Sequence, residues 1–460
     1  MSYRGRVASI YLLVFFIDLV NMFIANIAYP DIGQQLNVSV NQLAWVSNGY
    51  ILGLTVVIPI SGWLSKRIGS KRLFIFSLFI FIISTLGVAG SNQIEQLIIW
   101  RLVQGMGGGM LIPVGQAMTY ALYRNHERAK LSSIVMLVAL LAPALSPVIG
   151  GVLVDNVSWR WVFLISLPFM FVALVLTICW LKSDVVNIST ERLDFSGLIL
   201  GCLALMLILM SLTYMGETAH LSLGGILLIF GILLMVWYVC SSLRKTHPLL
   251  NLRLIREPML HTAMLIYQLV PGIFTGVSLI TMLYLQDILH IHATLVGAMM
   301  FPWAIAAFAA ISLTGKNFNK IGPRPLFIIG CVVQGCGIGL LPLIGSVDNI
   351  TLIAVSYAMM GFGGSLCSST AQSLAFIHVH DSELADASAL WNINRQLSFC
   401  FGVTIISLLL NVLLNMSDMQ QIQAYQMCFV VAAISSVIPI LLSLRITNKS
   451  VLLMFNQEKL

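Results

Sequence analysis

The feature that most constrains this chain is a succession of fourteen apolar runs, each close to the roughly 20 residues a helix needs to cross a hydrocarbon layer. They cover residues 8–29, 43–64, 73–90, 96–122, 130–154, 161–181, 195–215, 222–243, 261–284, 292–314, 326–346, 351–376, 387–414 and 425–445. In hydrocarbon every backbone N–H and C=O must be paired within the chain, so each run is predicted to be an α-helix. The longest polar connections, 182–194 and 244–258, are too short to enclose a core of their own. Composition agrees: 59% of residues are hydrophobic and 9% charged, against about 45–50% and 25% in a soluble domain. The expected fold class is therefore all-α integral membrane with 14 TM helices.

The net charge of +7 lies in short basic clusters between the runs, which suits a membrane surface and implies no nucleic acid partner. Cytoplasmic loops hold the excess of Lys and Arg. One side of the membrane collects 21 of the 24 basic residues, from Arg4 and Arg6 to Lys449 and Lys459. Arg160 lies alone on the other side, and Arg101 and Arg395 fall inside runs. Both termini are thus expected to be cytoplasmic. The first run is too long for a signal-peptide core and is expected to stay as the first helix. The eight cysteines sit in or beside apolar runs without paired spacing and are read as packing residues.

An internal repeat appears when Gly62-Trp-Leu-Ser-Lys-Arg-Ile-Gly69-Ser-Lys71 is set against Gly315-Lys-Asn-Phe-Asn-Lys-Ile-Gly322-Pro-Arg324. Gly62, Ile68, Gly69 and Lys71 match Gly315, Ile321, Gly322 and Arg324 at a constant offset of 253 residues. Two six-helix bundles in parallel pseudo-repeat, with two extra central helices, are the arrangement this predicts. The expected division is an N-terminal bundle at 1–182, a central helix pair with linkers at 183–257 and a C-terminal bundle at 258–460.

Five segments carry a resemblance to a known family. Residues Gly62 to Arg72, with Lys66, Arg67, Gly69 and Lys71 between them, look like a G-x-L-a-D-r-x-G-r-k-r loop in which Lys66 replaces the acid. Arg101, Gln104, Gly105 and Gly108 resemble an R-x-x-Q-G helix motif and share one face. Pro143, Ser146, Pro147, Gly150 and Gly151 resemble a G-P kink motif with Ser146 in the glycine position. Trp159 to Pro168 is similar to W-R-W-I-F-x-I-N-x-P, and its tryptophans are expected to anchor at the interface. Asn392 and Arg395 match N-x-x-R-q. On these residues the chain resembles the major facilitator superfamily, in particular its fourteen-helix drug-proton antiporter branch. In that branch an acid stands nine residues before a proline at the end of the first helix, a place held here by Asn21, ahead of Pro30. Asp18, one turn earlier, is expected to substitute for it.

The resemblance implies a proton-coupled exporter of amphipathic organic compounds, working by alternating access in a bacterial inner membrane. Asp18 and Arg101 are the expected proton-coupling residues, because ionisable groups inside a membrane are costly and mark functional paths. Asn21, Gln104 and Arg395 are expected in the substrate cavity, and Gly105, Gly108, Pro143, Pro147, Gly150 and Gly151 in helix packing and kinking. Arg101 has a bland alternative, snorkelling to the outer interface. Broad specificity would suit the 22 Met and many aromatic residues. The alternatives are an exporter of one anionic metabolite or siderophore and a non-transporting membrane receptor. Catalytic signatures and an ATP-binding loop are absent from the sequence, so no enzyme and no cofactor are expected. The pairs His290/His292 and His378/His380 have spacing that splits the rings between faces, and no metal is expected there. The partners implied are a small molecule, protons and the lipid bilayer, with a periplasmic adaptor left open.

Overall fold

The structure, a computed structural model, describes residues 2–38, 40–182, 194–215, 221–245, 248–289, 300–344, 349–414, 420–446 and 448. The first six spans are α1 (Tyr3–Ile24), α2 (Val40–Ile68), α3 (Ser70–Ala89), α4 (Ile94–Tyr120), α5 (Asn125–Asn156) and α6 (Trp159–Leu164 continued by Ser166–Trp180). The central pair is α7 (Phe195–Met215) and α8 (Leu221–Arg244). Six more follow: α9 (Pro258–Tyr267, a π turn, then Ile273–Leu283), α10 (Met300–Ile321), α11 (Pro323–Leu340), α12 (Ile350–Ala375), α13 (Leu384–Leu414) and α14 (Gln421–Ser435 with Val437–Leu444). Twelve helices among the described residues are long and apolar enough to cross a membrane. Helices α5 and α10 occupy the fifth and tenth predicted positions and complete the fourteen. The outward faces are apolar: Phe76, Phe79, Ile83 and Leu86 on α3, and Ile226, Phe230, Leu233 and Trp237 on α8, are exposed. Such continuous apolar surface is what a helix shows to lipid.

The repeat is built into the packing, glycine by glycine. A Cβ on Gly105 would strike the carbonyl of Tyr50 on α2, and one on Gly361 would strike the carbonyl of Trp303 on α10. Gly107 rests on Phe81 and Ser77 of α3, while Gly363 rests on Gln334 and Gly330 of α11. Tyr50 and Trp303, Ser77 and Gly330, and Phe81 and Gln334 are each 253 residues apart, the offset found in the sequence. In each half the fourth helix therefore lies in backbone contact with the second and third, which only glycine permits at those points.

Several expected boundaries are corrected. The motif expected as a loop from Gly62 to Arg72 is helical on both sides, since α2 runs to Ile68 and α3 starts at Ser70. Gly69 alone joins them, at φ 89°, and Gly322 joins α10 to α11 at φ 83°. Both take backbone angles that side chains resist, which explains why glycine recurs at this repeat position. Helix α1 starts at Tyr3, five residues before the expected run, and ends at Ile24 in a three-ten turn (Ala25–Ala28). Helix α13 starts at Leu384, so Asp386 belongs to its first turn. The predicted start of α10 at residue 292 lies outside the described residues, as do Arg192, Lys449, Lys459 and most of the linker before Asp194.

Helix α5 continues unbroken through Pro143 and Pro147. Pro143 is half-buried, and the side chain of Pro147 lies outside the described ones. Gly150 packs on Ile24 and Ile27, whereas a Cβ on Gly151 would meet nothing within 4 Å. Gly151, expected to be a packing position, therefore faces open space. The two tryptophans expected to anchor at the interface differ in burial. Trp161 is exposed, but Trp159 is buried and its indole N–H donates to Gln35.

Candidate functional site

Arg101 is completely buried in α4, which excludes snorkelling to the surface. Four hydrogen bonds to neutral oxygens hold its guanidinium. Nε donates to the Val46 carbonyl at 3.0 Å, Nη1 to Asn21 Oδ1 at 2.6 Å and to Gln104 Oε1 at 2.8 Å, and Nη2 to the Asn21 carbonyl at 3.5 Å. The cation also lies 4.3 Å from the ring centre of Tyr50 and 5.3 Å from that of Phe163. Asn21 in turn donates to Ser166 Oγ at 3.3 Å, and Gln104 donates to Thr85 at 2.7 Å. Asn21 and Gln104 were expected in the cavity wall. They are instead buried members of the arginine's cage, because a guanidinium with five donors takes up the neutral acceptors around it.

Asp18 is one turn from Asn21 and equally buried. Its Oδ1 accepts the hydroxyl proton of Tyr50, while Oδ2 has no hydrogen-bond partner. Tyr50 thus touches both charges, giving its hydroxyl to the carboxyl and its ring face to the guanidinium. Gly108 makes room for this contact: a Cβ there would strike Asp18 Oδ1 and come within 3.0 Å of the Tyr50 hydroxyl. Gly105 and Gly108, which the sequence puts on one face, thus serve different neighbours. The sequence reading missed Tyr50, which carried no signal beyond being a tyrosine within an apolar run.

The network belongs to one half only. Gly105 and Gly107 correspond in packing to Gly361 and Gly363, which aligns Arg101 with Tyr357 and Gln104 with Met360. The second half therefore keeps the helix crossings and lacks the buried cation and its amide.

Arg395 on α13 faces the first half, 5.2 Å from the ring centre of Phe15 on α1. Nearby, Asn392 donates to Gln116 of α4 at 2.8 Å, and Gln372 of α12 donates to the Tyr120 hydroxyl at 3.3 Å. Toward the basic end the halves are tied more tightly. Lys66 Nζ pairs with Asp386 at 2.7 Å. Arg128 pairs with Asp381 at 2.7 Å and donates to the carbonyls of Phe376 and Val379. Asn319, at the repeat position of Lys66, donates to the His126 carbonyl at 2.6 Å. In each half the junction after the second helix thus grips the start of a helix in the other half. This is a conformation shut at the basic end.

The other residues of the Gly62 motif have structural contacts. Gly62 lies against Ala385 and Asp386. Arg67 stacks on Trp63 at 5.4 Å, and Lys71 donates to the carbonyls of Ile178 and Leu181 at the end of α6. Arg72 is exposed. His378 bonds Glu257 at 3.2 Å, and His290 and His292 lie outside the described residues. No group of three or more His, Cys, Asp or Glu suited to a metal ion occurs among the described residues.

A family model described as Major Facilitator Superfamily matches residues 11–403. The chain belongs to the major facilitator superfamily. It is 30% identical over 383 residues to the multidrug resistance protein B homolog of Mycobacterium tuberculosis, a match covering 82% of this chain and 70% of that protein. It is 26% identical over 396 residues to the lincomycin resistance protein LmrB of Listeria monocytogenes, covering 86% and 84%. Its fold superposes on the crystal structure of the human organic anion transporter MFSD10 with a TM-score of 0.69 at 13% identity, covering 96% of this chain and all of that one. This facilitator is accordingly a multi-pass bacterial membrane protein that handles small molecules.

For this facilitator the charge at position 66 gives a direct test. Lys66→Asp sets two carboxylates against each other and is expected to slow transport, and adding Asp386→Lys is expected to restore it. With the lysine half-exposed, the pair is worth about 1 kcal/mol. Losses that simply add in the double variant would show that the pair does not hold the halves together.

Proposed function

We propose that this protein is a proton-coupled exporter of amphipathic organic compounds, working by alternating access between an N-terminal half (1–182) and a C-terminal half (258–460), with 183–257 as an inserted pair. The observation that carries the reading is the buried Asp18 carboxyl, bonded to Tyr50 beside the caged Arg101. A carboxyl in this setting crosses the membrane most cheaply when neutral, and a change in its charge alters the balance with the fixed guanidinium. Protonation from one side and release to the other can then bias which side is open. The resistance proteins among its relatives support a drug as the exported molecule. The shut basic end supports a state open to the opposite side.

The location that follows is the bacterial inner membrane with both termini cytoplasmic. A reporter active only in the periplasm, fused after Arg445, is expected to stay silent; activity there would invert the topology. The function itself is tested with purified protein in liposomes, loaded with a fluorescent amphipathic dye such as ethidium. An imposed pH gradient is expected to drive dye movement against proton movement. Dye binding without gradient-driven flux would favour the receptor alternative.

A further inference from the structure

Arg395 is a cation without a counterion. It is 7% exposed, and its guanidinium forms no ion pair or hydrogen bond among the described residues, lying 5.2 Å from the centre of the Phe15 ring. Arg101, by contrast, is a buried guanidinium held by four hydrogen bonds. A buried charge left unpaired costs several kcal/mol, and the chain keeps it. One turn before it, the Trp391 indole N–H and Asn392 Oδ1 are also buried and unpartnered. On the same stretch of α13, Trp391 and Phe399 pack on Tyr267 of α9, with ring centres 5.0 Å and 6.3 Å away.

Across the seam between the halves stands a second orphan of opposite sign. Asp18 lies one turn from Phe15 on α1 and has its own unpartnered oxygen, Oδ2. No ion pair joins it to Arg395, which stands by Phe15. Such a pair of unmatched charges, one on each half, is complementary to a molecule carrying both signs.

We propose that this transporter carries aromatic zwitterions, whose carboxylate docks on Arg395 and whose ammonium group competes with the proton for Asp18. The inference rests on the exporter reading and gives it a substrate class. A simple anion fits less well on physical grounds. It would bind Arg395 best when Asp18 is neutral, so proton and substrate would bind together, whereas exchange requires that one displace the other. A cationic group at Asp18 supplies that competition, and the carboxylate supplies a strong bidentate contact to the guanidinium.

The test is equilibrium binding to the purified full-length protein in lipid nanodiscs, using para-(aminomethyl)benzoate, its carboxamide without the anion, and its N-acetyl derivative without the cation. The zwitterion is expected to bind about tenfold more tightly than either analogue, the size of a charge-assisted contact. Arg395→Gln should erase discrimination against the carboxamide and keep it against the N-acetyl derivative. Asp18→Asn should do the reverse. Arg395→Lys, which keeps the charge, should retain most of the discrimination and separates loss of charge from loss of fold. Equal binding of zwitterion and carboxamide by the unaltered protein, no saturable zwitterion binding, or unchanged discrimination in Arg395→Gln would each overturn the proposal. Dye efflux measured in parallel keeps the two readings apart. Proton-driven ethidium efflux without zwitterion preference removes only the substrate class, whereas selective zwitterion binding without gradient-driven flux removes the exporter reading and leaves the site.

Discussion

Replacing Asp18 by Asn is expected to leave the protein folded in the membrane while efflux falls to the level seen with the pH gradient collapsed. The structure makes this a clean substitution. Asn keeps the size of Asp, and its amide oxygen can still accept the Tyr50 hydroxyl that now bonds Oδ1. What it lacks is a titrating proton. Arg101 should be undisturbed, because its bonds go to Asn21, Gln104 and Val46 and not to Asp18. Binding of a neutral amphipathic dye is therefore expected to persist. The measurement is dye flux in liposomes with and without a pH gradient, beside dye affinity. Gradient-driven flux at the unaltered rate in Asp18→Asn would move the coupling site elsewhere.

Gly105→Leu and Gly108→Leu are each expected to abolish transport, for different reasons. At Gly105 the first added carbon already meets the Tyr50 carbonyl and lies 2.9 Å from Leu54 N, so α2 and α4 must separate. Overpacking of a core costs about 1–3 kcal/mol where side chains can adjust, and here the obstacle is backbone. At Gly108 the obstacle is the Asp18 carboxyl and the Tyr50 hydroxyl. Gly108→Leu should therefore abolish transport with milder effects on thermal stability than Gly105→Leu. Gly151→Leu, where nothing lies within 4 Å, is the internal control and should transport normally. Transport by Gly105→Leu at the unaltered rate would show that the two helices do not need their close approach.

The fold was legible in the sequence because a bilayer leaves few choices. Run length fixed the helices, and the offset between Gly69 and Gly322 exposed the repeat that the packing then obeys. Boundaries were less legible, and one mattered. Ending the second helix at residue 64 and starting the thirteenth at 387 hid the fact that Lys66 and Asp386 are helical residues facing each other across the halves. Charged residues at helix ends lie outside apolar runs, so hydropathy stops short of them. In the site, Asp18, Arg101 and Arg395 stood out because ionisable groups are rare in such runs. Whether Arg101 met the carboxyl directly could not be read from spacing. Asn21 and Gln104 satisfy the guanidinium, and Tyr50 stands between the two charges. That arrangement depends on how α1, α2 and α4 cross.

The junctions at Gly69 and Gly322 have a further consequence, for how length may vary in this chain. With a single residue between two helices there is no slack to absorb an insertion. One added residue would turn α3 by about 100° about its axis. Lys71 would then point away from the Ile178 and Leu181 carbonyls, and Ser77 and Phe81 would swing off Gly107. Insertions should thus be excluded at these two junctions, and each pair of helices they join should move as one stiff arm.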